Sequence, residues 1–266
     1  MKLRPFLIPA LLSFTFLAAC SDDDSDFIST PDKTESSSSS NNSSSSLTFE
    51  REQCNAGTDE NCMKDERDGQ TYKTVTIGTQ TWMAENLNYE YKVNDSTYGN
   101  WCYNDSAKYR AKYGRLYTWA AAMDSTGTWT TNGKGCGYGE PCSPTFPVRG
   151  VCPEGWHLPN TMEWNAFFTE VGGSESAGIA LKSTSGWDNK SDDSSGNGSD
   201  THSFTALPVG NHFYGFSNEG KYANFWTSTQ RNGNYADAVE LYYKYDFVLL
   251  YQQFAYYGFS VRCVKD

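Results

Sequence analysis

The sequence is poor in the residues that usually declare a reaction. It holds three His, and its 21 Lys and Arg face 32 Asp and Glu. There is no Gly-x-Ser-x-Gly elbow, no His-Glu-x-x-His helix and no phosphate-cradling Gly loop. No Cys-x-x-Cys occurs, and the three His lie far from the Cys pairs, which argues against structural zinc. His157 sits between Trp156 and Leu158 just ahead of a predicted helix and reads as structural rather than as a base. His202 and His212 lie in loop or strand-edge sequence with no adjacent nucleophile. The formal net charge of −11 makes a poor partner for phosphate backbones or anionic headgroups, so nucleic acid is set aside.

Long apolar runs are missing as well. The one near the start, Phe6 to Leu17, follows Lys2 and Arg4 and is too short to span a bilayer. Leu17-Ala18-Ala19-Cys20 comes next and looks like a bacterial lipobox, in which the leader is cut before a Cys that becomes lipidated. Residues 1–19 are therefore expected to be a lipoprotein signal peptide, with Cys20 the lipidation site and the lipid the only link to the membrane. Loss of Lys2 and Arg4 moves the charge of the mature chain from −11 to −13. Ser21 to Asp26 is a dense acidic run. It reads either as a tag accompanying display on the outer face of the outer membrane or as a solvated spacer. From Phe27 to Leu47 the chain is mostly Ser, Asn, Thr and Asp, too polar to offset its ordering entropy, so residues 20–49 are expected to tether a single domain spanning 50–266.

Seven Cys remain after Cys20, in a compartment where thiols pair. Close spacing suggests Cys54 with Cys62 and Cys136 with Cys142, while Cys152 with Cys263 would close most of the domain. Cys102 is then left over, as a free thiol, an intermolecular bridge or a buried inert Cys.

Thr71–Ile77 and Gln80–Met83 alternate as strands about Gly78-Thr79, which suits a type II′ hairpin. Three Ala in Tyr117–Met123 suggest a short helix. The clearest helix opens at Asn160, where Asn160 and Glu163 form a capping-box pattern and Trp164, Phe167, Phe168 and Val171 share one face. A second follows over Glu175–Leu181. Strands are predicted at 204–208, 225–229, 236–243, 247–253 and 259–264. Few helices and many short strands give an α+β class.

Several motifs recur in order: Asp68-Gly69-Gln70-Thr71-Tyr72, Trp82 to Leu87, Tyr113 to Trp119, Cys152 to Trp164, Asn224 to Thr229 and Gly258 to Val264. From Asp68 onward the chain resembles the Fibrobacter succinogenes major paralogous domain. The resemblance implies a C-type-lectin-like fold, with two to three short helices around a small twisted antiparallel sheet stapled by disulfides. It also implies N- and C-terminal strands lying side by side, which a Cys152–Cys263 bridge fits, and a surface or secreted setting rather than a reaction. Family members often carry a further Cys just before the Tyr-Gly-Arg-Leu-Tyr block. This chain has Ala107 to Lys112 there, in keeping with the unmatched Cys102. Enzymes that oxidise Cys to formylglycine share a related fold but use a pair of late Cys, and this chain has only Cys263.

The stronger functional signal is the aromatic excess of the last third. Trp226, Tyr235, Tyr242, Tyr243, Tyr245, Tyr251, Tyr256 and Tyr257 stand among Asn, Gln and Asp. Neighbouring Tyr in a strand point to opposite faces, so some must reach the surface. Those eight residues are the candidate ligand-binding set, for plant or other polysaccharide by ring stacking, with a protein-interaction or structural module at the cell surface as the alternative. The same rings would equally pack a small sheet. No catalytic residue and no cofactor is expected. The acidic loop with Asp188, Asp192, Asp193 and Asp200 is a candidate calcium site, or a solvated loop.

Overall fold

The computed structural model describes residues 53–266. The expectations for the leader, Cys20 and the tether lie outside the described residues.

Three antiparallel strands come first, β1 (Cys62–Lys64), β2 (Thr71–Ile77) and β3 (Gln80–Met83). Gly78 turns β2 into β3 with φ of +59° while Thr79 stays outside the left-handed region, as a type II′ reversal requires. Two ribbons follow, β4 (Lys92–Val93) with β5 (Ser96–Thr97), and β6 (Asn100–Cys102) with β7 (Arg115–Tyr117). Helix α1 (Ala107–Tyr113) connects β6 to β7, and α2 (Trp119–Ala122) follows. The helix expected over 117–123 is thus shorter. Tyr117 pairs with Asn100 in the ribbon, and Thr118 caps α2 by accepting from the Ala121 N–H at 3.2 Å.

The remaining elements are β8 (Trp156–His157), α3 (Thr161–Glu170), α4 (Ser174–Leu181), β9 (Asn211–His212) and β10 (Phe216–Ser217). Then come the long β11 (Tyr222–Asn232), β12 (Tyr235–Tyr242), β13 (Val248–Phe254) and the terminal β14 (Val264–Lys265). Four α-helices stand where two to three were expected, because α1 has too little apolar periodicity to announce itself. The α3 capping box forms as read. Asn160 Oδ1 accepts from the Met162 and Glu163 N–H groups at 2.8 and 3.1 Å, and Glu163 Oε2 accepts from the Asn160 N–H at 2.8 Å.

The class is α+β with mainly antiparallel sheets. One sheet runs β1-β2-β3-β14-β8 and the other β11-β12-β13. Strand β14 lies between β3 and β8, so the two ends of the domain are neighbours, and Cys152–Cys263 closes a 111-residue loop beside them. A loop of that length constrains the unfolded chain by about 4–5 kcal/mol. Cys54–Cys62 and Cys136–Cys142 pair as spacing suggested. Cys102 is buried and not free, which corrects the free-thiol and inert-thiol readings.

Two predicted strands are not ladders. Ala206 bridges only Lys182, and residues 259–260 make single bridges to Tyr117 and Phe225. Their backbone is used elsewhere: the Phe204 and Thr205 carbonyls accept from the buried Arg262 guanidinium.

The three-stranded sheet carries apolar packing on both faces. Phe225, Val239, Leu241 and Val248 point one way, onto Trp164, Phe167 and Phe168 of α3. Trp226, Ala238 and Ala236 point the other way, under Trp119 and Phe259. Further along that second face, Tyr222, Asn224, Glu240 and Tyr242 occupy the same-side positions.

Candidate functional site

Most of the quoted motifs lock into one another. Arg262 Nε donates to Asn86 Oδ1 at 2.7 Å, and Asn86 Nδ2 donates to the Tyr113 carbonyl at 2.9 Å, tying three motifs together in the interior. The Trp226 indole N–H donates to the Tyr117 carbonyl at 2.7 Å, and that of Trp119 to the Thr227 carbonyl at 2.8 Å. His157 reaches Asp266 through Nδ1 at 2.6 Å and Glu163 through Nε2 at 2.7 Å, clasping the C-terminus to the start of α3. Burial works against its charge, but the hydrogen bonds to the two carboxylates outweigh it and raise its pKa above the ordinary imidazole value. These side chains are spent on structure.

His212 is stacked on Trp101 at 4.0 Å and edge-on to Phe216 at 4.8 Å, and burial lowers its pKa. Neither His157 nor His212 lines either of the two cavities described below. Two carboxylates of the 188–200 loop engage local partners. Asp192 accepts from Ser194, and Asp200 from the Thr205 N–H and hydroxyl. Among the described residues no three His, Cys, Asp or Glu side chains converge as a metal-ligand set.

Two cavities stand out among the described residues. The larger, about 700 Å³, lies between the β2–β3 sheet, α1 and the 200–207 loop. Its charged lining is mixed and engaged: Arg262 is held by carbonyls and Asn86, Glu85 accepts from the Lys73 N–H, and Lys112 donates to the Tyr113 hydroxyl. The smaller, about 320 Å³, is a groove on the open part of the second face of the β11–β12–β13 sheet.

The groove has a polar floor between aromatic ends. Asn224, Glu240, Tyr251 and Gln253 rise from the three strands, Tyr222 stands at one end, and Phe213 and Tyr257 at the other. The β9–β10 hairpin forms a wall with Asn211, Ser217 and Asn218. That hairpin is fixed by paired backbone bonds between His212 and Gly258, at 3.1 and 2.8 Å. A Cβ at 258 would meet His212 Cβ at 2.9 Å, so only glycine allows this approach.

Inside, the Tyr251 hydroxyl donates to Asn224 Oδ1 at 3.0 Å. This leaves the Asn224 amide nitrogen without a protein acceptor among the described residues. Burial raises the pKa of Glu240 above the ordinary carboxylate value, only partly offset by the Tyr251 hydroxyl, and no ion pair meets it among the described residues. Tyr222 is pushed up to about 12 by burial and by Tyr242 beside it. Tyr251 is raised by burial and by the Glu240 charge.

The eight candidate aromatics do not form one exposed face. Trp226 is fully buried in the core, a correction that follows from Phe259 packing over it at 4.6 Å. Tyr242 stacks on Tyr222 at 4.5 Å and meets Tyr243 and Tyr245 edge-on, forming one cluster. Tyr235 packs on Phe254, which stacks on Tyr256; Tyr256 and Tyr257 both stack on Phe213, forming a second. Their ring faces are largely taken by one another. Tyr251 lies between the clusters, in the groove. Glu240, Gln253 and the hairpin residues were not singled out as site residues from sequence; the one available signal was a Glu within the apolar run Ala238 to Leu241.

The family model described as Fibrobacter succinogenes major domain matches residues 75–265. No curated protein and no solved structure matches the chain. The match covers the three-stranded sheet, all four helices, the groove and the five-stranded sheet from Val75 onward, and with it the chain belongs to the Fibrobacter succinogenes major domain family.

Proposed function

We propose that this protein is a surface-displayed, non-catalytic binding module that holds a polysaccharide segment in the groove of the three-stranded sheet. The observation that carries the reading is the groove's composition: hydroxyl, amide and carboxylate groups on the floor, with aromatic rings at both ends. Sugars present hydroxyls to the former and C–H faces to the latter, and about 300 Å³ is the lower end of small-ligand sites. The fold is read as C-type-lectin-like, supported by the adjacent terminal strands and the Cys152–Cys263 staple. Binding is independent of calcium in this reading. Cys20 carries the lipid that anchors the chain to the outer membrane, and residues 21–49 space the domain from it.

The test is binding of the intact protein to soluble and insoluble plant polysaccharides, with calcium and with chelator. Saturable, chelator-insensitive binding that falls at least about tenfold in Tyr222→Ala is expected, as for loss of a stacking ring. Absence of binding to every glycan by folded protein would overturn the reading. Cys20→Ala should release the protein from the membrane fraction. A second reading, recognition of a surface protein, is favoured by the β9–β10 tip, where Tyr214 is 94 % exposed beside Phe213.

A further inference from the structure

We infer that the groove selects uncharged glycans and rejects polyuronates, and that Glu240 is the specificity-determining residue. This rests on the polysaccharide reading above and adds to it the ligand's charge class.

Of all the side chains lining the groove, Glu240 alone bears a formal charge. It stands in the middle strand, flanked by Asn224 on one side and Leu249 on the other in the register of the sheet. The Tyr251 hydroxyl, which donates to Asn224 Oδ1, has a single proton and so can serve at most one Glu240 oxygen. The Glu240 carboxylate is half-buried with no ion pair among the described residues, and has acceptor capacity left over. Two adjacent hydroxyls of a neutral sugar can supply hydrogen bonds to both its oxygens, and charge-assisted bonds of this kind are the strong ones. The Asn224 amide nitrogen offers a donor to a ring or hydroxyl oxygen alongside.

A uronate carboxylate in the same place would meet Glu240 with no Lys or Arg in the groove to screen the pair. Like charges brought together in a partly desolvated site repel far more than they do in water. The acidic chain around the groove, with its net charge of −11, opposes polyanion approach as well, but weakly at physiological salt. Local and global charge make different predictions for a single neutralising substitution.

The experiment compares the intact protein with Glu240→Gln and Gln253→Lys at physiological ionic strength. The probes are neutral xylan, mannan and mixed-linkage glucan against polygalacturonate and alginate, and the thermal midpoints confirm folding. The wild type should bind at least one neutral glycan and bind both polyuronates at least about tenfold more weakly. Glu240→Gln should weaken neutral binding about tenfold, the loss of a hydrogen bond to a charged group, and narrow the discrimination. Gln253→Lys, which adds a cation to the groove lining, should raise affinity for polygalacturonate. Wild-type binding of polyuronates equal to that of neutral glycans overturns the inference and leaves the polysaccharide reading standing. Unchanged affinity and discrimination in Glu240→Gln overturns the role of Glu240. Failure to bind any glycan overturns both.

Discussion

The two faces of the β11–β12–β13 sheet are made by alternate residues of the same strands and have opposite fates. Phe225, Val239 and Leu241 meet the aromatic side of α3 and vanish from solvent. Trp226, Asn224 and Tyr222, one residue out of phase, run from full burial to an open groove within a single strand. The contrast teaches that a strand's pleat assigns sides, while exposure along a side depends on what other parts of the chain cover. On the first face α3, α4 and the 187–206 segment together cover the apolar residues. On the second, Phe259 and Trp119 cover only the Trp226 end, and the hairpin carrying Phe213 stops short of Glu240.

Breaking this comparison begins on the covered face. Phe225→Ala should cost about 3–5 kcal/mol in urea denaturation, the loss of a well-packed aromatic plus its cavity. At the open end, Tyr222→Ala should cost under about 1.5 kcal/mol, since mainly the stacking on Tyr242 is removed, yet should take most of the glycan binding with it. Equal stability losses at the two positions would mean that the groove end is as much core as the other.

Tyr251→Phe probes the boundary between the faces. It deletes the hydroxyl that donates to Asn224 and should cost about 1 kcal/mol, with a measurable weakening of binding because Asn224 is no longer oriented.

Glu240→Gln should change neutral-pH stability least of the groove variants, and its signature is in the pH dependence. The folded pKa of Glu240 is raised, so the folded state binds the proton more tightly than the unfolded chain does. The penalty for its charge is present above the folded pKa and disappears as pH falls to the ordinary carboxylate value. Wild type should therefore gain stability relative to Glu240→Gln on acidification through that window. A flat difference would show that Glu240 is not desolvated.

Away from both faces, the His157 clasp gives a control of the same sign in a higher pH window. Its folded pKa is raised, so its contribution is fully present below the unfolded value of 6.5 and is lost as pH rises through the folded pKa. His157→Gln should remove that dependence without altering glycan affinity.

Several elements were legible from short stretches of chain because their causes are local. The Asn160–Glu163 capping box, the Gly78 turn and the short-range Cys54–Cys62 and Cys136–Cys142 loops each depend on residues within a few positions of one another. The α+β class and the family also follow from ordered motifs. The groove was illegible for the converse reason. Its floor joins residues 224, 240, 251 and 253, and its wall comes from a hairpin held by Gly258, so no window of sequence contains it. Trp226 illustrates the same limit: alternation places it on the side of Glu240 and Tyr242, and nothing nearby reveals that Phe259 and Trp119 close over it. The sequence by itself determined which side each strand residue faces, how the helices begin and which family the domain joins, because pleat, caps and motifs are written locally. Only the tertiary structure decided which part of the second face stays open, because long-range packing alone sets where the cover ends.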